Sequence, residues 1–147
     1  MMIAVGCDHG GFEHKNAIAE HLKERGFEVV DYGIHENVSV DYPDIASKLC
    51  EGILGEKANL GILVCGTGIG MSLAANKIKG IRASLCADHF STKYTRLHND
   101  ANIMCMGART LGVGVGLELA EIFVDTPFEG GRHALRVDMI REMEEEF

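Results

Sequence analysis

A chain of 147 residues with 46% hydrophobic and 24% charged residues has the composition of an ordinary globule, long enough to bury roughly two-thirds of its unfolded surface in one domain spanning 1–147. Its formal net charge of −8, with Glu142, Glu144, Glu145 and Glu146 crowded at the C-terminus, argues against a nucleic-acid binder while leaving room for a local basic pocket. No apolar run is long enough to span a bilayer, and MMIAVGCDHGG lacks the basic lead-in and cleavage site of a signal peptide, so no membrane contact and a cytoplasmic protein are expected.

Taken in chain order, short β-rich runs alternate with helical patterns. Ile3–Cys7 reads as a strand, followed by a helix over Phe12–Arg25 with Ala17, Ile18 and Leu22 on one face and Gly26 as its stop. Glu28–Tyr32 is a second strand, and a helix from about Pro43, suited to a first helical turn, runs to Leu54. Strand Gly61–Cys65 opens into a glycine loop and a helix through about Lys77. Strand Arg82–Cys86 then feeds a helix over Phe90–Leu97, and strand Ile103–Met106 one over Gly112–Val124. After Pro127 and Gly130-Gly131, a last helix covers about His133–Glu145. This alternation predicts an α/β fold, a parallel sheet between helices, with every strand-to-helix loop at one edge.

Ligands bind at that edge, so the residues just past each strand are the candidates. Asp8, His9, Gly10 and Gly11 follow the first strand; Gly66, Thr67, Gly68, Ile69 and Gly70 follow the third. Asp88-His89 follows the fourth and Arg109 the fifth, while His98-Asn99-Asp100 precedes the fifth. The loop GTGIG offers amide donors at a helix start, fit for an anion or a developing oxyanion, but it is neither the dinucleotide fingerprint nor a P-loop. Cys65 stands directly before it. A helix N-terminus favours a thiolate, which makes this thiol a candidate base or nucleophile, although a structural thiol fits the position equally well.

Cys7, Cys50, Cys86 and Cys105 form no CxxC or zinc spacing with it and read as core residues. A metal at Asp8, His9, His98 and Asp100 is disfavoured by the lack of paired ligands at helical spacing. Gly112, Gly114 and Gly116 read as helix-start packing. Arg132 and Arg136, four apart beside His133, share a helix face and can grip a phosphate with two forks, or form a plain solvated pair.

Five stretches carry a resemblance: IAVGCDHGGFEHK, SVDYPD, ILVCGTGIGMSLAANKIKGIRA, RLHNDANIMCMGAR and FEGGRHALRV. In this order they cover nearly the whole chain and resemble the ribose-5-phosphate isomerase B family, which includes galactose- and allose-6-phosphate isomerases. The resemblance implies a Rossmann-like three-layer α/β/α sandwich with a five-stranded parallel sheet, acting as a homodimer or dimer of dimers. The helix at about 133–145 is then expected at the dimer interface. It also implies interconversion of ribose 5-phosphate and ribulose 5-phosphate without metal or organic cofactor.

By the same resemblance Cys65 is the base between C2 and C1, and His98 opens the furanose ring with Asp8 assisting. Gly66, Thr67, Gly68, Ile69 and Gly70 hold the enediolate oxygens, and Asn99 contacts the sugar. His9, Arg109, Arg132 and Arg136 contact substrate or phosphate, some of them across the dimer interface. Thr67 is expected to donate its hydroxyl to the thiolate. Another branch of the family uses a glutamate where Met71 stands, so the chain resembles the cysteine branch. The stretch from Val124 to Phe128 is shorter than usual before EGGRH, which bears on how Arg132 and Arg136 are presented. The alternatives are a six-carbon sugar-phosphate isomerase and a non-catalytic sugar-phosphate sensor. A thiol redox protein would need a resolving cysteine, which is missing.

Overall fold

A computed structural model describes all of residues 1–147. Its sheet is built from β1 (Met2–Cys7), β2 (Glu28–Asp31), β3 (Leu60–Cys65), β4 (Ala83–Leu85) and β5 (Ile103–Gly107), all parallel, in the order β2-β1-β3-β5-β4. Nearly every residue of β1, β3 and β5 is buried, as expected of interior strands covered on both faces. The helices are α1 (Phe12–Glu24), α2 (Tyr42–Leu54), α3 (Ile69–Ala75), α4 (His89–Asn99), α5 (Val113–Asp125) and α6 (Arg132–Glu146). Helices α1, α5 and α4 pack side by side as one layer, α2 packs with α3 as the other, and α6 leans on α4. No helix is long and apolar enough to cross a membrane.

The boundaries follow local chemistry. Helix α3 stops at Ala75 instead of near Lys77 because Asn76 both donates to and accepts from the Ala83 backbone, at 2.8 Å each, which ends the helix and aligns β4. Helix α4 starts at His89 because the Asp88 carboxylate caps it, accepting from the Ser91 N–H at 2.7 Å. It reaches Asn99, two residues past the expected end, and is closed by Asp100 in the left-handed region at φ 47°. Asp100 also pairs with both Arg82 (3.2 Å) and Arg96 (3.0 Å), so it is a structural anion. A short 3-10 turn at His9–Gly11, unforeseen in the sequence, forms because Asp8 Oδ1 accepts from the Gly10 N–H.

Candidate active site

Leaving β1, the chain turns into α1 on one face of the sheet; leaving β3, it turns into α3 on the other. The crevice between the ends of these neighbouring strands is the switch point where open α/β sheets hold ligands. Cys7 pairs with Val64 there, and the Asp8 N–H reaches Val64 O at 3.3 Å, which sets Asp8 beside Cys65. Gly10 and Gly11 make the contact possible. A Cβ on Gly11 would lie 2.6 Å from Val64 O, and one on Gly10 would lie 3.2 Å from the Gly66 nitrogen.

The thiol sits at the centre of this crevice. Cys65 Sγ accepts a hydrogen bond from the Gly68 N–H at 3.1 Å, so the glycine loop curls back over the sulfur. Gly68 takes φ +79°, and a Cβ there would meet Leu85 at 2.6 Å and Met106 at 2.8 Å. The loop therefore needs glycine for both backbone and space. The expected Thr67 contact is different: its Oγ1 accepts from the Ile69 N–H at 3.2 Å, and the donor on the sulfur is the amide of Gly68. A backbone donor wins because the tight turn already points it at the strand end. Arg109 joins the group. Its N–H holds Gly66 O at 2.9 Å, and its side chain lies over Gly66, 3.5 Å from where a Cβ would stand. Asp8 is 8% exposed; His9 beside it is open to solvent.

The remaining thiols behave as core residues. Burial pushes Cys7, Cys50 and Cys86 up to about 11, and Cys105 well above the ordinary thiol value.

His98 and Asn99 form a second group at the far end of α4. Asn99 O accepts from Arg82 Nε at 3.2 Å, where β4 begins, whereas Cys65 lies where β3 ends. The His98 ring stacks on His133 (centroids 3.9 Å, planes 12° apart) and meets the Tyr94 ring edge-on at 4.9 Å. Glu129 Oε2 stands 3.7 Å from His98 Nε2 and 3.8 Å from His133 Nε2. Arg132 and Arg136 are exposed on the first turns of α6 beside this cluster. Burial, and then the proximity of His98, push the His133 imidazole below its ordinary value.

Only this trio brings three metal-ligating side chains together, with ligand atoms within 4.8 Å. The cavities divide in the same way. A groove of 440 Å³ carries Leu85, Tyr94, His98 and Asn99, and the largest, 820 Å³, lies between α6 and the segment Lys79–Ser84. Cys65 and its glycine loop line none of them.

Residues 3–140 match the family described as Ribose/Galactose Isomerase. The chain belongs to this family. It is 46% identical to Ribose-5-phosphate isomerase B of Escherichia coli over 147 residues, covering 97% of this chain and 96% of that one. A Clostridium thermocellum structure of Ribose-5-Phosphate Isomerase B superposes with a TM-score of 0.97 at 46% identity, covering 99% of each chain. A Mycoplasma genitalium structure with bound ribulose-5-phosphate superposes with a TM-score of 0.94 at 37% identity, covering 99% of this chain and 97% of that one.

In this Ribose/Galactose Isomerase chain the singled-out residues thus fall into two sets. Asp8, His9, Cys65 through Gly70 and Arg109 share the switch point; His98, Asn99, Arg132 and Arg136 gather at the α4–α6 contact. Met71 is fully buried in the core, so no carboxylate rivals Cys65 at that position. Sequence reasoning passed over Glu129 and over His133 as a partner of His98. Their four-residue spacing was the available signal, but only the packing of α6 on α4 shows what they face.

Proposed function

We propose that this chain is an aldose–ketose isomerase interconverting D-ribose 5-phosphate and D-ribulose 5-phosphate, with Cys65 as the proton-transfer base and His98 as the ring-opening group. The observation that carries the reading is the Cys65 thiol at the switch point, held by the Gly68 N–H and flanked by Asp8. His98 gives a proton to the ring oxygen as the C1–O bond breaks, and Asp8 takes the proton of the C1 hydroxyl, leaving the open aldehyde. The Cys65 thiolate then removes the C2 proton while the amides of the Gly66–Gly70 loop other than Gly68 and Ile69, which already donate to Cys65 Sγ and Thr67 Oγ1, hold the charge arriving on O1. The O2 hydroxyl proton passes to O1, the thiol returns its proton to C1, and the ketose results. Thr67, with its hydroxyl at the mouth of the loop, Asn99 and His9 contact the sugar phosphate. Arg109, Arg132 and Arg136 supply charge for the phosphate.

We further propose that the site is shared between two copies. Along α4, at 1.5 Å per residue, His98 lies about 14 Å from the helix start at the switch-point edge. Cys65 lines no cavity of the single chain, whereas His98, Asn99, Arg132 and Arg136 cluster at another surface. A two-fold dimer that sets one group against the other makes two complete sites, with α6 at the interface. A dimer of such dimers repeats the same contact. Five unpaired buried thiols suit a reducing compartment, and we assign the enzyme to the cytoplasm.

The test is a coupled assay of the purified protein against ribose 5-phosphate, allose 6-phosphate and galactose 6-phosphate. Highest kcat/KM on the pentose supports the reading. Preference for a hexose phosphate keeps the mechanism and changes the substrate, as the family's description allows. No turnover of any leaves a sugar-phosphate-binding module.

A further inference from the structure

We propose that Glu129 and His133 are positioning residues for His98, holding its imidazole in the orientation that protonates the sugar's ring oxygen. This rests on the reading of His98 as the ring-opening group. His98 sits on the last turn of α4 with a third of its side chain exposed, where an imidazole would otherwise sample several rotamers. Two rings restrain it: His133 covers one face at 3.9 Å, and Tyr94 meets it edge-on. The segment that brings these groups is tied down beside it, since the Glu129 N–H donates to Leu97 O at 3.0 Å.

A single carboxylate stands between two imidazoles, 3.7 Å from one and 3.8 Å from the other. His133 is 8% exposed, and its burial together with the nearness of His98 pushes its imidazole below the ordinary value. His133 Nε2 is buried without a hydrogen-bond partner. A shift of Glu129 by about 1 Å would bring it within hydrogen-bonding reach of that nitrogen. Glu129 faces the Nε2 atoms of both rings and so sets how each is turned. The donor proton leaves the His98 ring nitrogen that does not face Glu129, the C1–O bond breaks, its electron pair stays on the ring oxygen, and that oxygen takes the proton.

Ribulose 5-phosphate separates this role from general damage. Its C5 hydroxyl is esterified, so it cannot close a furanose ring, and exchange of its C1 hydrogen with D2O needs enediolate formation but no ring opening. Both rates are measured for Glu129→Gln, His133→Ala, His133→Phe and His98→Asn. We expect Glu129→Gln and His133→Ala to lower isomerisation of ribose 5-phosphate about tenfold or more, part of the 10²–10⁴-fold that acid–base catalysis supplies. Exchange into ribulose 5-phosphate should stay within about twofold. His133→Phe, which keeps a flat wall, should recover most of the loss of His133→Ala. The proposal is overturned if both rates fall together in Glu129→Gln, whose exposed side chain is not needed for folding, or if neither falls. His98→Asn should show the same split. Loss of exchange there would remove the ring-opening reading itself, whereas a split there with unchanged Glu129→Gln and His133→Ala would overturn the positioning role alone.

Discussion

Cys65 differs from the other four cysteines by what faces its sulfur. All five cysteines lie in one buried core cluster, and Cys65 is the one whose sulfur takes the Gly68 N–H; burial raises Cys7, Cys50, Cys86 and Cys105, and at pH 8 a thiol at about 11 is ionised to about one part in a thousand. Alkylation at that pH should therefore label Cys65 first in a peptide map, abolish turnover, and be slowed by saturating ribose 5-phosphate. Labelling of another cysteine at an equal rate, with turnover retained, would remove the thiolate from the mechanism. Cys65→Ala should lower kcat by at least 10²-fold, because Met71 offers no substitute base, and leave the far-UV spectrum unchanged. Near-parent turnover would count against the base whatever the family membership.

Between elements, the least expected feature is Lys15 on α1, 1% exposed, whose ammonium donates to Asp31 at the end of β2 (2.6 Å) and to Ile34 O (2.8 Å). It fastens the helix to the edge strand from inside. Removing one member of a buried pair strands the other, so Lys15→Ala should cost about 3 kcal/mol, the lower end of the range for buried pairs because Asp31 is 28% exposed. Urea unfolding followed by circular dichroism checks this; a loss under about 1 kcal/mol would make the pair a surface-type bridge. The switch-point edge has the opposite design. The Gly11 and Gly68 contacts leave no room for a Cβ and Gly10 leaves only a tight fit, so backbone meets backbone around Cys65 and the thiol is held without a side-chain clamp.

For the whole molecule, the two groups of site residues and the surface of α6 bear on the same proposal. Leu135, Met139, Ile140 and Met143 are exposed on α6, an apolar face that a shared-site dimer would cover. Met139→Asp should shift the protein towards monomer in sedimentation and lower activity with it; an unchanged mass would move the interface elsewhere. Mixing inactive Cys65→Ala and His98→Asn chains should restore activity, since half of the sites in a mixed dimer then carry both intact groups. No recovery after verified subunit exchange would argue for sites complete within one chain.

Element types, the strand-to-helix edge and the glycine loop beside Cys65 were legible in the sequence, because periodicity, caps and turn residues act within a few positions of one another. The family signatures then attached to these residues the roles that are proposed above. Strand order was not legible: placing β5 between β3 and β4 is a choice among non-local pairings with no local mark. Nor were the Lys15–Asp31 pair, the amide of Gly68 in place of the Thr67 hydroxyl on Cys65, or the His98–His133 stack. Each of these depends on groups that the chain brings together only when it packs. The sequence by itself determined what chemistry the residues can do; tertiary structure decided which of them stand together, because burial and distance, not residue type, set that.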